Sequence, residues 1–207
     1  ALALATQGMH GASAEVYQDL ASVSPNSASV QMELGTALAR SGDISGGIGA
    51  LETAKELDPT SSEIRYRLTR AYIANGDNGA AEQELTEFRS QSPVDPLPSV
   101  LAAQLALEAG DREQAAKAYK AALELDATNV QAREGLVSLA MLEDNSGQAV
   151  DILNEGLEAK PDDLNNLLQL AAVHERRGET DEMVAVLRRA VAAHPRALEP
   201  RLMLGRY

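Results

Sequence analysis
Five prolines set the frame of this chain. Pro25, Pro59 and Pro93 lie 34 residues apart, as do Pro161 and Pro195, and the 68 residues between Pro93 and Pro161 leave one slot vacant, at Ala127. Leu125-Asp126-Ala127-Thr128-Asn129 aligns there with Leu57-Asp58-Pro59-Thr60-Ser61, so one repeat has lost its Pro and kept its register. A period of this length means a small unit copied in tandem, too small to bury its apolar faces alone and obliged to stack on its neighbours.

A second marker falls midway in each unit: Gly42-Asp43, Gly76-Asp77, Gly110-Asp111 and Gly178-Glu179, with Asp144-Asn145 in the remaining slot and Gly8-Met9 near the start. Gly after an apolar-periodic run ends a helix by taking the left-handed conformation, and the Asp after it can cap the next helix. Each unit therefore reads as helix A, a tight turn, helix B and a Pro-marked turn, with Pro where the next helix has not begun. Helix A carries Leu34, Leu68, Ala102, Leu136, Leu170 and Leu204 at one equivalent position, followed by Gly35, Thr69, Ala103, Val137, Ala171 and Gly205. Helix B answers with Gly47, Ala81, Ala115 and Ala149. It continues with Tyr17, Leu51, Leu85, Tyr119, Leu153 and Leu187, then Ala54, Phe88, Ala122, Gly156 and Ala190. These fall on one face of a helix, and the small residues let helix backbones approach closely.

This order of large and small positions ending in Pro resembles the tetratricopeptide repeat pattern. It covers full repeats at 28–61, 62–95, 96–129, 130–163 and 164–197, with partial repeats at 1–27 and 198–207. The departure is the family's Trp position in helix A, held here by Gln31, Arg65, Ser99, Arg133 and Leu167. The resemblance implies an all-α solenoid of antiparallel helix-turn-helix hairpins wound into a right-handed superhelix, with a concave surface lined by helices A. The start, Ala1-Leu2-Ala3-Leu4-Ala5-Thr6, lacks a basic leader and reads as part of a helix, and Leu202, Met203 and Leu204 are followed by no closing polar helix. The expectation is a piece of a longer array.

By the same geometry, residues placed to meet a protein or peptide partner include Met32, Arg40, Tyr66, Arg67, Arg70, Leu97, Val100, Gln104, Glu134 and Met141. Arg40, Arg67 and Arg70, with Tyr66 among them, form a basic and aromatic group, the bland alternative being ion pairing with Glu33, Glu63 and Asp77. Helix A of the third unit, from Leu97 to Leu107, is apolar almost all round, and is either buried on both sides or presents an apolar strip to a partner. The groove near units two to four is expected to receive an apolar helix or extended segment, anchored at one end by the Arg group. Some family members grip a peptide C-terminal carboxylate with Lys and Asn at fixed helix A positions, which here hold Met32 and Thr36, Tyr66 and Arg70, Val100 and Gln104, Glu134 and Ser138, or Leu168 and Ala172. That clamp is absent.

Composition narrows the function classes. A formal net charge of -13 argues against nucleic acid as partner, since phosphate binding needs a dense basic footprint. The absence of Cys removes thiolate metal sites and a Cys nucleophile. His10, His174 and His194 lie in different units with no ligand partner at helical spacing, and Gly46-Gly47-Ile48-Gly49 follows no strand and carries no Lys, so no metal, cofactor or catalytic site is expected. No run of about 18 apolar residues marks a membrane span.

The reading is a non-enzymatic interaction scaffold. The alternatives are an accessory domain of a larger enzyme, or a module that self-associates through uncapped terminal helices. Phrases such as Leu107-Glu108-Ala109-Gly110-Asp111-Arg112-Glu113-Gln114-Ala115-Ala116 and Ala121-Ala122-Leu123-Glu124-Leu125-Asp126 resemble the long bacterial tetratricopeptide proteins that accompany exopolysaccharide export and exosortase systems. That resemblance implies a periplasmic or envelope-associated protein, the cytoplasm being the alternative.

Overall fold
The computed structural model describes residues 8–206, and among them the chain forms twelve helices and no strand. In order these are α1 (His10–Val23), α2 (Ala28–Ser41), α3 (Ile44–Leu57), α4 (Ser62–Asn75), α5 (Asn78–Gln91) and α6 (Leu97–Glu108). They continue as α7 (Arg112–Leu125), α8 (Val130–Leu142), α9 (Ser146–Ala159), α10 (Leu164–Arg177), α11 (Thr180–Ala193) and α12 (Glu199–Leu204). The helix read for residues 1–6 lies outside the described residues, as does Tyr207. Two compact units divide the chain, Ala1–Asp111 and Arg112–Tyr207. In the first, α2 with α3 and α4 with α5 pair as hairpins, α1 packs on α2, and α6 packs on α4 and α5. In the second, α8 with α9 and α10 with α11 form the hairpins, flanked by α7 on α8 and α12 on α11.

The turn inside each hairpin is built the same way. Gly42 takes φ 103°, its N–H donates to the Ala39 carbonyl (3.2 Å), and the Asp43 N–H donates to Leu38 (3.0 Å), satisfying carbonyls that the end of α2 would otherwise leave bare. Gly76, Gly110 and Gly178 close α4, α6 and α10 with the same two bonds. Where the sequence has Asp144 in place of Gly, the bonds persist, Asp144 to Met141 and Asn145 to Ala140, and Asp144 is driven to φ 54°. The side chains of Asp43, Asp77 and Asn145 then cap the following helices by accepting from the N–H groups of Gly46, Ala80 and Gln148. Glu179 departs from this. Its carboxylate accepts from His174 Nδ1 and pairs with Arg177, both at 2.7 Å, and chiefly the His174 bond holds it below the usual carboxylate range.

The Pro-marked turns carry caps of their own. Ser27, Ser61, Asn129 and Asp163, each two residues after the Pro slot, accept from the N–H groups of Val30, Ile64, Ala132 and Asn166. Burial pushes the Asp163 carboxyl up, but its bonds from Lys160 and the Asn166 N–H outweigh this and leave it below its ordinary value.

The long polar residues at the family's Trp position have a job of their own. Gln31 Nε2 donates to the carbonyl of Pro25 (3.1 Å), Arg65 Nη2 to Pro59 (3.2 Å), Arg133 Nη2 to Ala127, and Arg201 Nη2 to Pro195. Each reaches back six residues and ties helix A to the turn before it. Leu167 cannot do this, and the Pro161 carbonyl instead accepts from Arg189 of α11.

Two of these ties bury a guanidinium. Arg65 is 3% exposed, and Nη1 donates to Glu84, also 3% exposed, and to Glu87 (3.3 Å), while Nε donates to Gln91 (3.1 Å). Lys55 of α3 donates to the other Glu84 oxygen at 2.6 Å, so the network joins α3, α4 and α5. One repeat pair later Ile152 stands where Glu84 stood, and Arg133 Nη1 turns to the Ile152 carbonyl at 2.7 Å. Room comes from Gly156, where a Cβ would lie 2.4 Å from Arg133 Nε. Burial lowers the Arg133 pKa, opposed by Glu155 and Asp163.

Removing one partner from a buried ion pair leaves a charge without compensation, whereas replacing both with apolar groups does not. Glu84→Ala is expected to lower stability in urea unfolding by about 3 kcal/mol, with most of the loss recovered in the Arg65→Met/Glu84→Leu double variant. At the strained turn, Asp144→Gly is expected to raise stability by about 0.5–1 kcal/mol in the same assay, because Gly reaches the left-handed conformation without steric cost.

Candidate functional site
Helices A carry the residues that the sequence singles out for a partner. On α2, Met32, Thr36 and Arg40 follow at i, i+4 and i+8, and on α4 Tyr66 and Arg70 follow at i and i+4, so each set lies on one helix face. Met32 is half-buried against Leu51, Leu68 and Ala71, whereas Arg40 is exposed near the C-terminus of α2. Tyr66 rests half-buried against the cluster of Ala81, Leu85, Phe88, Leu101 and Leu105, and the guanidinium of exposed Arg70 sits 5.6 Å from the centre of its ring. Arg67 is spent on structure. Its Nε donates to Glu63 (2.6 Å), and its Nη1 crosses to α2 to reach Glu33 (3.1 Å) and Thr36 (2.8 Å). The three arginines therefore divide: Arg67 pairs with Glu33 and Glu63, and Arg40 and Arg70 do not.

The apolar helix of the third unit resolves toward burial. Pro98, Val100, Leu101, Ala103, Leu105 and Ala106 of α6 are buried, with Val100 at 0% exposure, so Val100 is a core residue and the expectation that it meets a partner is corrected. A helix with apolar side chains all round finds neighbours all round, here α4 and α5 within the first unit. Leu97 and Gln104 remain half-buried, with the Leu97 N–H donating to Asp95 at 2.9 Å.

In the second unit, exposed Glu134 of α8 accepts from Asn165 Nδ2 (2.6 Å) and Gln169 Nε2 (3.3 Å) of α10, and Met141 lies half-buried near the end of α8. Asn165 and Gln169 are absent from the sequence-derived set. Their spacing of 31 and 35 residues from Glu134, close to one repeat, is the signal that places them on the neighbouring helix A at the same level. Arg65 and Glu84 were equally hidden, because nothing local marks a charge as buried.

Among the described residues no group of three or more His, Asp or Glu is arranged to hold a metal ion, and no helix is long and apolar enough to cross a membrane. His194 Nε2 donates to the Asp162 carbonyl, joining the end of α11 to the turn before α10. Burial raises the Tyr72 hydroxyl pKa, and its bond to Glu52 (2.7 Å) raises it further, as does the charge of Glu52, then Glu84, then Asp77, so it stays a donor.

Comparison with known proteins agrees with this architecture. Family models described as tetratricopeptide repeat match residues 1–62, 38–105, 106–173 and 164–207, one of them covering 38–173 in two consecutive copies. No curated protein matches the chain. Among solved structures, a thermophilic TPR protein of Thermus thermophilus is 18% identical over 86% of this chain and 97% of its own, with a TM-score of 0.57. Yeast Tom70 is 18% identical over 92% of this chain and 41% of its own, with a TM-score of 0.70. YrrB, described as a TPR protein with an unusual peptide-binding site, is 13% identical over 92% and 98%, with a TM-score of 0.50. With an unbroken 34-residue register, the same turn at the ends of α2, α4, α6, α8 and α10, and family matches along its length, the chain belongs to the tetratricopeptide repeat family.

Proposed function
We propose that this chain is a non-catalytic scaffold whose helix A faces hold a peptide or helical segment of a protein partner, within a complex of the bacterial envelope. Proteins of the family bind protein or peptide partners and are in general not catalysts. One observation carries the reading. Buried positions keep their character from repeat to repeat, while two helix A positions change in every one: Met32, Tyr66, Val100, Glu134 and Leu168 at the first, Thr36, Arg70, Gln104, Ser138 and Ala172 at the second. Of these, Arg70, Glu134, Ser138 and Ala172 are exposed and free of the packing requirement, and such residues are those available for recognition. The compartment rests on the likeness of the Leu107–Ala116 and Ala121–Asp126 phrases to envelope-associated repeat proteins. A specific observation favours a second reading, pairing of chains through α12, where Leu198 and Leu202 stand 69% and 66% exposed.

Ala74, Ser138 and Ala172 are exposed on helices A, so Trp at these positions obstructs the face and spares the core. Capture of a protein from the envelope fraction is expected with the native chain and lost with Ala74→Trp/Ser138→Trp/Ala172→Trp, at unchanged helical circular dichroism. Equal capture by both forms, or a partner confined to the cytosol, counts against it. Self-pairing through α12 predicts a sedimentation coefficient that rises with concentration and stops rising in Leu198→Glu/Leu202→Glu; a monomer throughout removes that reading.

A further inference from the structure
The outer face of α7 carries a groove at a place that is filled in the first unit. There, Ile48 of α3 and Tyr72 of α4 pack against Leu51, Leu68 and Ala71, and the Tyr72 hydroxyl crosses to Glu52 of α3 at 2.7 Å. Two periods on, α7 and α8 carry Ala116 in place of Ile48, Ala140 in place of Tyr72 and Lys120 in place of Glu52. The side chains that fill the space in the first unit are reduced to methyl groups, and a groove of about 580 Å³ runs along α7 to the end of α8.

The floor of this groove is Ala116 and Ala121, both half-buried, and its rim is charged. Glu113, Lys117, Lys120 and Glu124 follow one another along α7 at close to one helical turn, all exposed. Arg112 starts the helix, and α8 runs back along α7, so Glu143 at its end lies toward the Glu113 end of the groove and leaves that end net acidic. Glu113 and Lys117, like Lys120 and Glu124, have the i, i+4 spacing at which side chains pair. Yet among the described residues none of these six charged groups is in an ion pair.

The order of charge selects the occupant. A lone anion or a nucleic acid meets as many carboxylates as cations along this rim, so neither is favoured. Acid, base, base and acid recur here over about 16 Å at the 5.4 Å pitch of a helix, and a second helix lying alongside presents one side chain to each, which an extended strand with its longer repeat does not. Small residues on the floor admit the close approach that such packing needs. A second copy of α7 has the same order and sets like charges opposite one another.

We infer that the α7 groove seats a helix of a protein partner whose charges run in the inverse order, base, acid, acid and base, with small residues facing Ala116 and Ala121. The site lies on a helix B and is separate from the helix A faces proposed above. Because the order reads the same in both directions, a partner helix fits parallel or antiparallel to α7, and the complementary charges set its register.

The test is fluorescence anisotropy with labelled Ala-rich helical peptides of about 18 residues. One probe carries Lys-Ala-Ala-Ala-Glu-Ala-Ala-Glu-Ala-Ala-Ala-Lys at its centre, and the second has Lys and Glu exchanged, so the two have the same composition and net charge. The native chain is expected to bind the first probe at least about tenfold more tightly than the second. Glu113→Lys/Lys117→Glu/Lys120→Glu/Glu124→Lys, which changes only exposed residues, is expected to exchange that preference. Ala116→Ile/Ala140→Tyr, which restores the filling of the first unit, is expected to lose both probes at unchanged helical circular dichroism. The helix A variant Ala74→Trp/Ser138→Trp/Ala172→Trp keeps the first probe, so the two sites fail separately. Equal binding of the two probes, no saturable binding of the first at millimolar concentration, an unchanged preference in the charge-exchanged variant, or undiminished binding by a folded Ala116→Ile/Ala140→Tyr each overturn the assignment.

Discussion

A hairpin of two fourteen-residue helices has an apolar face that only another hairpin can cover, and the rest of the structure depends on this. Burial fixes the spacing, because each helix must return to the same level as its counterpart one unit earlier. It also fixes where small residues stand: a Cβ on Gly35 would lie 2.7 Å from the Gly47 carbonyl oxygen, and one on Gly47 equally close to that of Gly35. Where α2 and α3 cross, backbone meets backbone, and no larger residue fits without moving a helix.

Stacking by burial alone would leave the turns loose, and this chain secures them with polar side chains. The long residues at the family's Trp position reach back to turn carbonyls, and in two repeats the guanidinium becomes part of the interior. The same Arg meets different surroundings in each case, a buried carboxylate at Glu84 and a backbone carbonyl at Ile152. A buried charge tolerates either, provided its N–H groups are satisfied. The aromatic slab of the family is thus replaced by a side chain whose stem fills the slot and whose head ties the turn.

That division of cations shapes the exposed surface of helices A. Arg65 and Arg133 belong to the interior and Arg67 to the tie between α2 and α4, so of the basic group Arg40 and Arg70 are the ones that stand exposed. In the second unit the polar residues of helices A satisfy one another through Glu134, Asn165 and Gln169. The two units therefore offer different chemistry from the same fold.

The sequence by itself determined the period, the helix boundaries and the turns, because each rests on local physics: Pro cannot continue a helix, Gly reaches the left-handed conformation, and Asp or Asn caps the next N-terminus. Even the irregular slot was legible, since Asp144 keeps the turn that its neighbours make with Gly. The caps at Ser27, Ser61, Asn129 and Asp163 were equally local, two residues after each Pro slot. Only the tertiary structure decided which helix A residues are buried, paired or exposed. Val100 reads as available in a helix apolar all round and is buried; Arg65 stands at the family's Trp position, and Glu84 holds it in the core; Arg67 and Arg70 look alike until Glu33 and Thr36, about one repeat away, claim the first and leave the second. Such outcomes depend on neighbours about a repeat distant in sequence, and a residue's own type and spacing carry no record of them.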